Sequence, residues 1–223
     1  MIAWEVLDSA EIPGGGTLRL KRRGKEYSIM LGSNELMNSR LSGSEEALAR
    51  LSIEKLAGRA RPRILIGGLG MGFTLRAALA LLGADASVTV AELVPAVVAW
   101  ARGPMSAVFG DCLDDPRVTV VEGDVGTPIR EGAGRFDAIL LDVDNGPEGL
   151  SRAANDALYD TAGLGRAKAA LRPGGVLAVW SSAPDDGFRR RLGRAGFVVE
   201  EAKVHAHGKR GTRHVIWLAV EPG

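Results

Sequence analysis

The chain has 223 residues, a formal net charge of +1, and 46% hydrophobic against 25% charged residues, a balance that excludes wholesale disorder and argues against a general nucleic-acid or membrane-surface binder. Its one cysteine, Cys112, excludes an internal disulfide and any zinc site that needs two thiolates. The N-terminus has no basic patch followed by an apolar stretch, and the most apolar run, residues 77–101, is interrupted by Asp85, Glu92 and Pro95, so a cytoplasmic chain without signal peptide or membrane span is expected. Glycine is the outlier, with 30 of 223 residues, and the positions of those glycines carry the reading.

In chain order, residues 4–6, 17–20 and 26–31 are strand-like runs. They are separated by Pro13-Gly14-Gly15-Gly16 and Arg23-Gly24-Lys25, with Gly32-Ser33-Asn34 as a further turn. Ser42 and Glu45 have capping-box spacing ahead of Ala47, Leu48, Leu51 and Leu56, which predicts a helix over about 44–57. Residues 1–58 therefore read as a small β appendage plus a helix, and 59–223 as the main domain. From residue 63, strands at 63–66, 87–91, 118–121, 136–141 and 176–180 alternate with helices at 73–82, 94–102 and 162–171. That alternation means βαβ crossovers and a parallel sheet covered on both faces. The strands at 197–205 and 214–220 are joined too closely for a crossover and must be antiparallel.

The segment Ile64-Leu65-Ile66-Gly67-Gly68-Leu69-Gly70-Met71-Gly72 joins a strand to a helix. Glycines there let backbone approach a ligand at the helix N-terminus. Glu92 lies 20 residues past Gly72 at the end of the next strand, where a carboxylate can take both ribose hydroxyls of an adenosine-type ligand. A dinucleotide oxidoreductase would carry G-x-G-x-x-G, whereas Gly68, Gly70 and Gly72 are spaced G-x-G-x-G.

That spacing and the antiparallel final strand resemble the class I methyltransferase fold. The resemblance implies an α/β doubly wound sheet of seven strands, six parallel and one antiparallel. It also implies Asp124 at the adenine edge, after the 118–121 strand, and Asp142 among the groups that meet the ligand. Arg63-Ile64-Leu65-Ile66, Thr74-Leu75-Arg76, Glu92-Leu93-Val94-Pro95 and Asp115-Pro116-Arg117-Val118 are more specific: they resemble spermidine synthases, across residues of about 20–220. Three departures stand out. The acid of the family's glycine loop is replaced by Met71. The Asp-Glu-x-x-Tyr-His-Glu helix reads Ser44-Glu45-Glu46-Ala47-Leu48-Ala49-Arg50. The family's Asp-x-x-Asp-Pro-x-Gly-Pro stretch, whose second Asp is the base, is shortened to Asp142-Val143-Asp144-Asn145-Gly146-Pro147.

A dicationic diamine needs carboxylates at both ends, so these losses weigh against a diamine acceptor. The leading expectation is thus an S-adenosylmethionine-dependent methyltransferase with an unidentified small-molecule acceptor. Gly68, Gly70, Gly72 and Glu92 would hold the nucleoside with Asp124 and Asp142, and Asp144, with Asp142 second, would act as base. The alternatives are an aminopropyltransferase using decarboxylated S-adenosylmethionine and a non-catalytic nucleoside-binding protein. Many relatives pair through the β appendage, so a homodimer is expected. Asp142 and Asp144 could also serve only as turn caps.

His205, His207 and His214 could form a three-histidine metal site, but polar side chains on a half-buried hairpin are the favoured reading, and no metal is expected. The arginines at 189, 190, 191 and 194, with Lys209, Arg210 and Arg213, read as a solvated basic face. Asn34, Met37, Asn38 and Arg40 lie where the related family forms its acceptor pocket.

Overall fold

The strand and helix runs of the sequence fold into two sheets. The computed structural model describes residues 2–56, 58–143, 157–207 and 210–223, without side chains at 207, 210 and 211. Four antiparallel strands come first: β1 (Glu5–Glu11), β2 (Thr17–Arg23), β3 (Glu26–Leu31) and β4 (Asn34–Asn38), in the order β1-β2-β3-β4. The fourth strand was not expected: Gly32 takes φ +59°, and the chain returns along β3 with a register shift between Ile29 and Met30. Helix α1 (Gly43–Glu54) follows.

The large sheet is made of β5 (Arg63–Gly67), β6 (Ser87–Glu92), β7 (Val118–Glu122), β8 (Phe136–Leu141), β9 (Leu171–Ser181), β10 (Val198–His207) and β11 (Arg210–Val220), in the order β10-β11-β9-β8-β5-β6-β7. β11 runs antiparallel to both β9 and β10, and the other six share one direction, as expected. The crossovers are α2 (Phe73–Leu81), α3 (Pro95–Arg102) with the short α4 (Ser106–Phe109), α5 (Gly126–Glu131) and α6 (Thr161–Ala170), while α7 (Asp186–Arg194) precedes the hairpin. All six residues of β8 are buried, which fits a central strand covered on both faces. Among the described residues no helix is long and apolar enough to cross a membrane.

The small sheet is welded to the large domain. Leu18, Leu20, Tyr27 and Ile29 belong to one continuous apolar core with Ile66, Val90 and Trp100. The Tyr27 hydroxyl donates to the Pro104 carbonyl (2.6 Å), and Trp100 Nε1 donates to Asp8 Oδ2 (2.7 Å).

The amino end of β8 carries a buried charge cluster. Asp137, 1% exposed, accepts from Arg59 Nη1 (2.8 Å), Arg172 Nη1 (3.0 Å) and the Arg63 backbone N–H (2.8 Å). A buried carboxylate compensated this fully anchors β8 to its neighbours, whereas loss of one partner would leave an uncompensated charge.

Candidate active site

The sheet order changes direction between β5 and β8: the chain leaves β5 toward β6 and β7, then returns to the other side of β5 with β8. In such sheets a crevice opens at the carboxyl ends beside that switch. Here it is a cavity walled by residues at those ends: Gly68 after β5, Glu92 of β6, Asp124 after β7, Asp142 after β8 and Trp180 of β9. The turn after β1, with β2, β3 and β4, supplies an apolar roof that includes Ile12, Leu18, Ile29, Leu31, Leu36 and Met37.

Gly68, Gly70 and Gly72 all take left-handed backbone, at φ +88°, +51° and +74°. Their tasks differ. Gly68 and Gly70 line the cavity. A Cβ on Gly68 would lie 2.5 Å from the Asp142 carbonyl oxygen, so this glycine lets the loop close against the end of β8. Gly72 is the N-cap of α2, does not line the cavity, and packs against Phe109, whose Cε1 would stand 2.5 Å from an added Cβ. Its role is to shape the loop. Gly72→Ala combines left-handed strain with a clash against a buried ring, and should cost about 2–4 kcal/mol. Chemical denaturation measures this; a loss below about 1 kcal/mol would mean that Phe109 yields freely.

Glu92, 7% exposed, does two jobs. Its Oε2 accepts from the Leu69 N–H and its Oε1 from the Val94 N–H, each at 2.8 Å, so it clasps the glycine loop to the start of α3. Burial raises its pKa, opposed by these backbone N–H groups. Each carboxylate oxygen has a second lone pair, and the residue lines the cavity. Asp124 also combines a local and an outward role: its Oδ1 accepts from the Gly126 N–H (2.6 Å) ahead of α5, and the residue lines the cavity.

Asp142 directly follows β8. Its N–H continues the sheet pairing to the Gly67 carbonyl (3.0 Å), and its Oδ2 accepts from the Thr74 hydroxyl at the start of α2 (2.8 Å). Partly buried and lining the cavity, it has its pKa raised to about 7, by burial first and by the negative charge of Glu45 second. Asp144 lies outside the described residues.

Glu45 is the site residue that the sequence reading missed. The expected capping box does not form: Ser42 donates its hydroxyl to Glu46 Oε1 (2.7 Å) and makes no side-chain cap. Glu45 lines the cavity with Asp142, its pKa raised by burial. Met71, at the position of the family's loop acid, is fully buried in the core. The loop therefore supplies no acid to the cavity, and Glu45, at the position of the Glu in the family's Asp-Glu-x-x-Tyr-His-Glu helix, keeps the acid that α1 contributes. Glu45, Glu92, Asp124 and Asp142 all line the cavity, with no Lys, Arg or His among its described lining residues.

The four candidate residues before α1 separate. Met37 lines the cavity, whereas Asn34, Asn38 and Arg40 do not. Asn38 instead donates to Glu35 (2.8 Å) and accepts from the Arg40 N–H (3.0 Å), which builds the β4 bend. His214 pairs in register with Val204, and His205 with Arg213, so His205 and His214 lie on opposite faces of the hairpin and cannot share a metal ion. On α7, Arg191 pairs with Asp185 (3.6 Å) and covers the Phe188 ring.

No family model matches the chain. It is 35% identical over 123 residues to polyamine aminopropyltransferase 1 of Streptomyces coelicolor, covering 54% of this chain and 22% of that protein. It is 36% identical over 129 residues to the polyamine aminopropyltransferase of Mycobacterium tuberculosis, covering 56% and 23%. The chain thus spans less than a quarter of the length of these relatives. Among solved structures, spermidine synthase from Thermotoga maritima superposes with a TM-score of 0.78 at 19% identity, over 98% of this chain and 73% of that one. A probable spermidine synthase from Corynebacterium glutamicum gives 0.68 at 14% identity, over 98% and 81%. Fold and partial sequence likeness agree: the chain is similar to polyamine aminopropyltransferases over about half its length and shares the fold of spermidine synthase.

Proposed function

We propose that this chain transfers an aminopropyl group from decarboxylated S-adenosylmethionine to an amine acceptor. The observation that carries the reading is the charge of the cavity: Glu45, Glu92, Asp124 and Asp142 face it without a cationic side chain among its described lining residues. Decarboxylated S-adenosylmethionine brings a sulfonium and an ammonium, and an amine acceptor brings at least one more positive charge. S-adenosylmethionine itself carries a carboxylate in addition, and like charges brought together in a partly desolvated site cost several kcal/mol. The sequence reading led with methyl transfer; the cavity's charge and the named activity of the relatives favour aminopropyl transfer.

In this reading Glu92 accepts the ribose hydroxyls, and Asp124 meets the adenine edge. Gly68 and Gly70 let the loop backbone come close to the nucleoside. The acceptor nitrogen attacks the propyl carbon bound to sulfur. The C–N bond forms, the C–S bond breaks with its electron pair going to sulfur, and neutral methylthioadenosine leaves. The attacking ammonium must first give up a proton. Asp142, with its pKa raised to about 7, is a stronger base than an ordinary carboxylate and stands at the carboxyl end of β8. Asp144, two residues on, is the second candidate base. A comparison of Asp142→Asn with Asp144→Asn separates them: the base is the residue whose variant binds nucleoside normally and loses turnover.

Calorimetry with four nucleosides tests the function itself. Decarboxylated S-adenosylmethionine and methylthioadenosine should bind at least tenfold more tightly than S-adenosylmethionine and S-adenosylhomocysteine, a difference of about 1.4 kcal/mol or more. The reverse order would restore methyl transfer. Binding of the first pair without turnover on any amine would favour the non-catalytic reading.

A further inference from the structure

The proposed chemistry leaves one buried polar chain without a task. His214, on β11, is half-buried between Trp180 and α1. Its ring lies edge-on to Trp180, with centroids 4.7 Å apart and an interplanar angle of 66°. Trp180 itself lines the cavity. On the other side, His214 Nδ1 is 3.0 Å from Ser44 Oγ. Ser44 is 1% exposed, and its hydroxyl donates to Glu45 Oε2 at 2.6 Å.

The proton count fixes the direction of this chain. With Glu45 ionised its oxygens only accept, so the single hydroxyl proton of Ser44 is committed to Glu45. The contact between Ser44 and His214 must then run from an imidazole Nδ1–H to the serine oxygen. Burial lowers the proton affinity of His214 and favours a neutral ring; the Nδ1-protonated tautomer is the one that matches the contact with Ser44 Oγ. The result is a two-step donor relay, from the β11 imidazole through the α1 hydroxyl to the Glu45 carboxylate.

A physical problem explains such a relay. Glu45 and Asp142 repel each other across the cavity, and Glu45, in the first turn of α1, has a long side chain that could turn away. Lys or Arg would hold it firmly but would cancel the charge that the cavity offers to cations. A neutral donor chain holds it while leaving the charge in place. We propose that His214 is a positioning residue: through the Ser44 hydroxyl it keeps the Glu45 carboxylate turned into the cavity, where it receives the acceptor amine. The role of Glu45 in this statement rests on the aminopropyl reading; the relay itself does not.

Two measurements on the full chain test it. The first is ¹⁵N NMR of the imidazoles. In the wild type His214 should show the Nδ1-protonated tautomer, and in Ser44→Ala that preference should be lost. An Nε2-protonated ring in the wild type would overturn the relay. The second is steady-state transfer from decarboxylated S-adenosylmethionine to 1,4-diaminobutane as probe amine. His214→Ala should raise the KM for the amine about tenfold, with the Kd for methylthioadenosine unchanged. His214→Asn, whose side-chain N–H can stand in for Nδ1–H, should recover most of the loss. Ser44→Ala should match His214→Ala, and the double variant should be no worse than either single one. An unchanged amine KM in both single variants, losses that multiply in the double variant, or no recovery with asparagine would each overturn the proposal. If the wild type transfers to no amine, the functional reading falls, and the tautomer measurement alone decides the relay.

Discussion

Replacing Asp142 by asparagine is expected to lower turnover about 10²–10³-fold while making the protein more stable above neutral pH. The loss follows from the base assignment, since positioned proton transfer contributes 10²–10⁴-fold. The gain follows from linkage. The Asp142 carboxyl titrates at about 7 in the folded chain and near 3.9 when unfolded. Between those values the folded state holds a proton that the unfolded state has lost, so this group's contribution falls as pH rises through the window and stays unfavourable above it. Asparagine has no charge to bury and can still accept from the Thr74 hydroxyl. The variant's advantage should therefore grow from about pH 4 to pH 7 and then level off. The separation between the two values sets a ceiling of about 4 kcal/mol, and access to the cavity reduces the expected gain to about 2 kcal/mol. Thermal melts of both proteins at pH 5 and pH 8, beside initial rates, check the two halves. A pH-independent difference in stability would contradict the burial of the charge. Full activity would remove Asp142 from the proton path.

The second large effect is expected at Glu92. Glu92→Gln should weaken binding of methylthioadenosine by about 10²–10³-fold. Hydrogen bonds to a charged group are worth about 1.5–3 kcal/mol each, and two ribose hydroxyls are involved. Stability should change much less, by about 1–2 kcal/mol, because two effects oppose each other. The amide cannot accept at both of its ends, so either the Leu69 or the Val94 N–H loses its partner. Against that, a buried carboxylate with a raised pKa is removed. Calorimetric titration together with urea denaturation separates the two quantities. A Kd within threefold of the wild type would mean that Glu92 serves only to clasp the glycine loop.

What was legible in the sequence was the local pattern. The apolar run at 136–141 is buried throughout, those at 63–66 and 87–91 are buried beyond their exposed first residues apart from the half-buried Thr89, and all three need no partner to be recognised as central strands. The glycine spacing and Glu92 mark the strand ends for the same reason: their constraints act within a few residues. Glu45 was missed because two local rules pointed to different roles. Its distance from Ser42 satisfies a capping box, but positions 45, 48, 49 and 52 also fall along one stripe of α1. Leu48, Ala49 and Ser52 are buried on that stripe. Packing against the large sheet decided between them, and it turned Glu45 inward. Helix α7 was hidden because Phe188 and Leu192 are its only buried residues. Strand β4, mostly exposed, is held by pairing with β3 rather than by any apolar alternation of its own.

The division of the cavity between two sheets has an evolutionary consequence. Its charges sit on the large sheet, the loops at its strand ends and α1, while its apolar roof comes from β1–β4 and their turns. The roof and most of the charges are thus encoded in separate stretches of chain. In the proposed reading, substitutions at Leu36 or Ile12 can alter which acceptor skeleton fits without touching the acids, whereas Met37 packs against Gly70 and ties the roof to the glycine loop. If the proposed transfer is this chain's activity, a lineage carrying this architecture can exchange acceptors by drift in one short amino-terminal segment while its donor chemistry stays under separate selection.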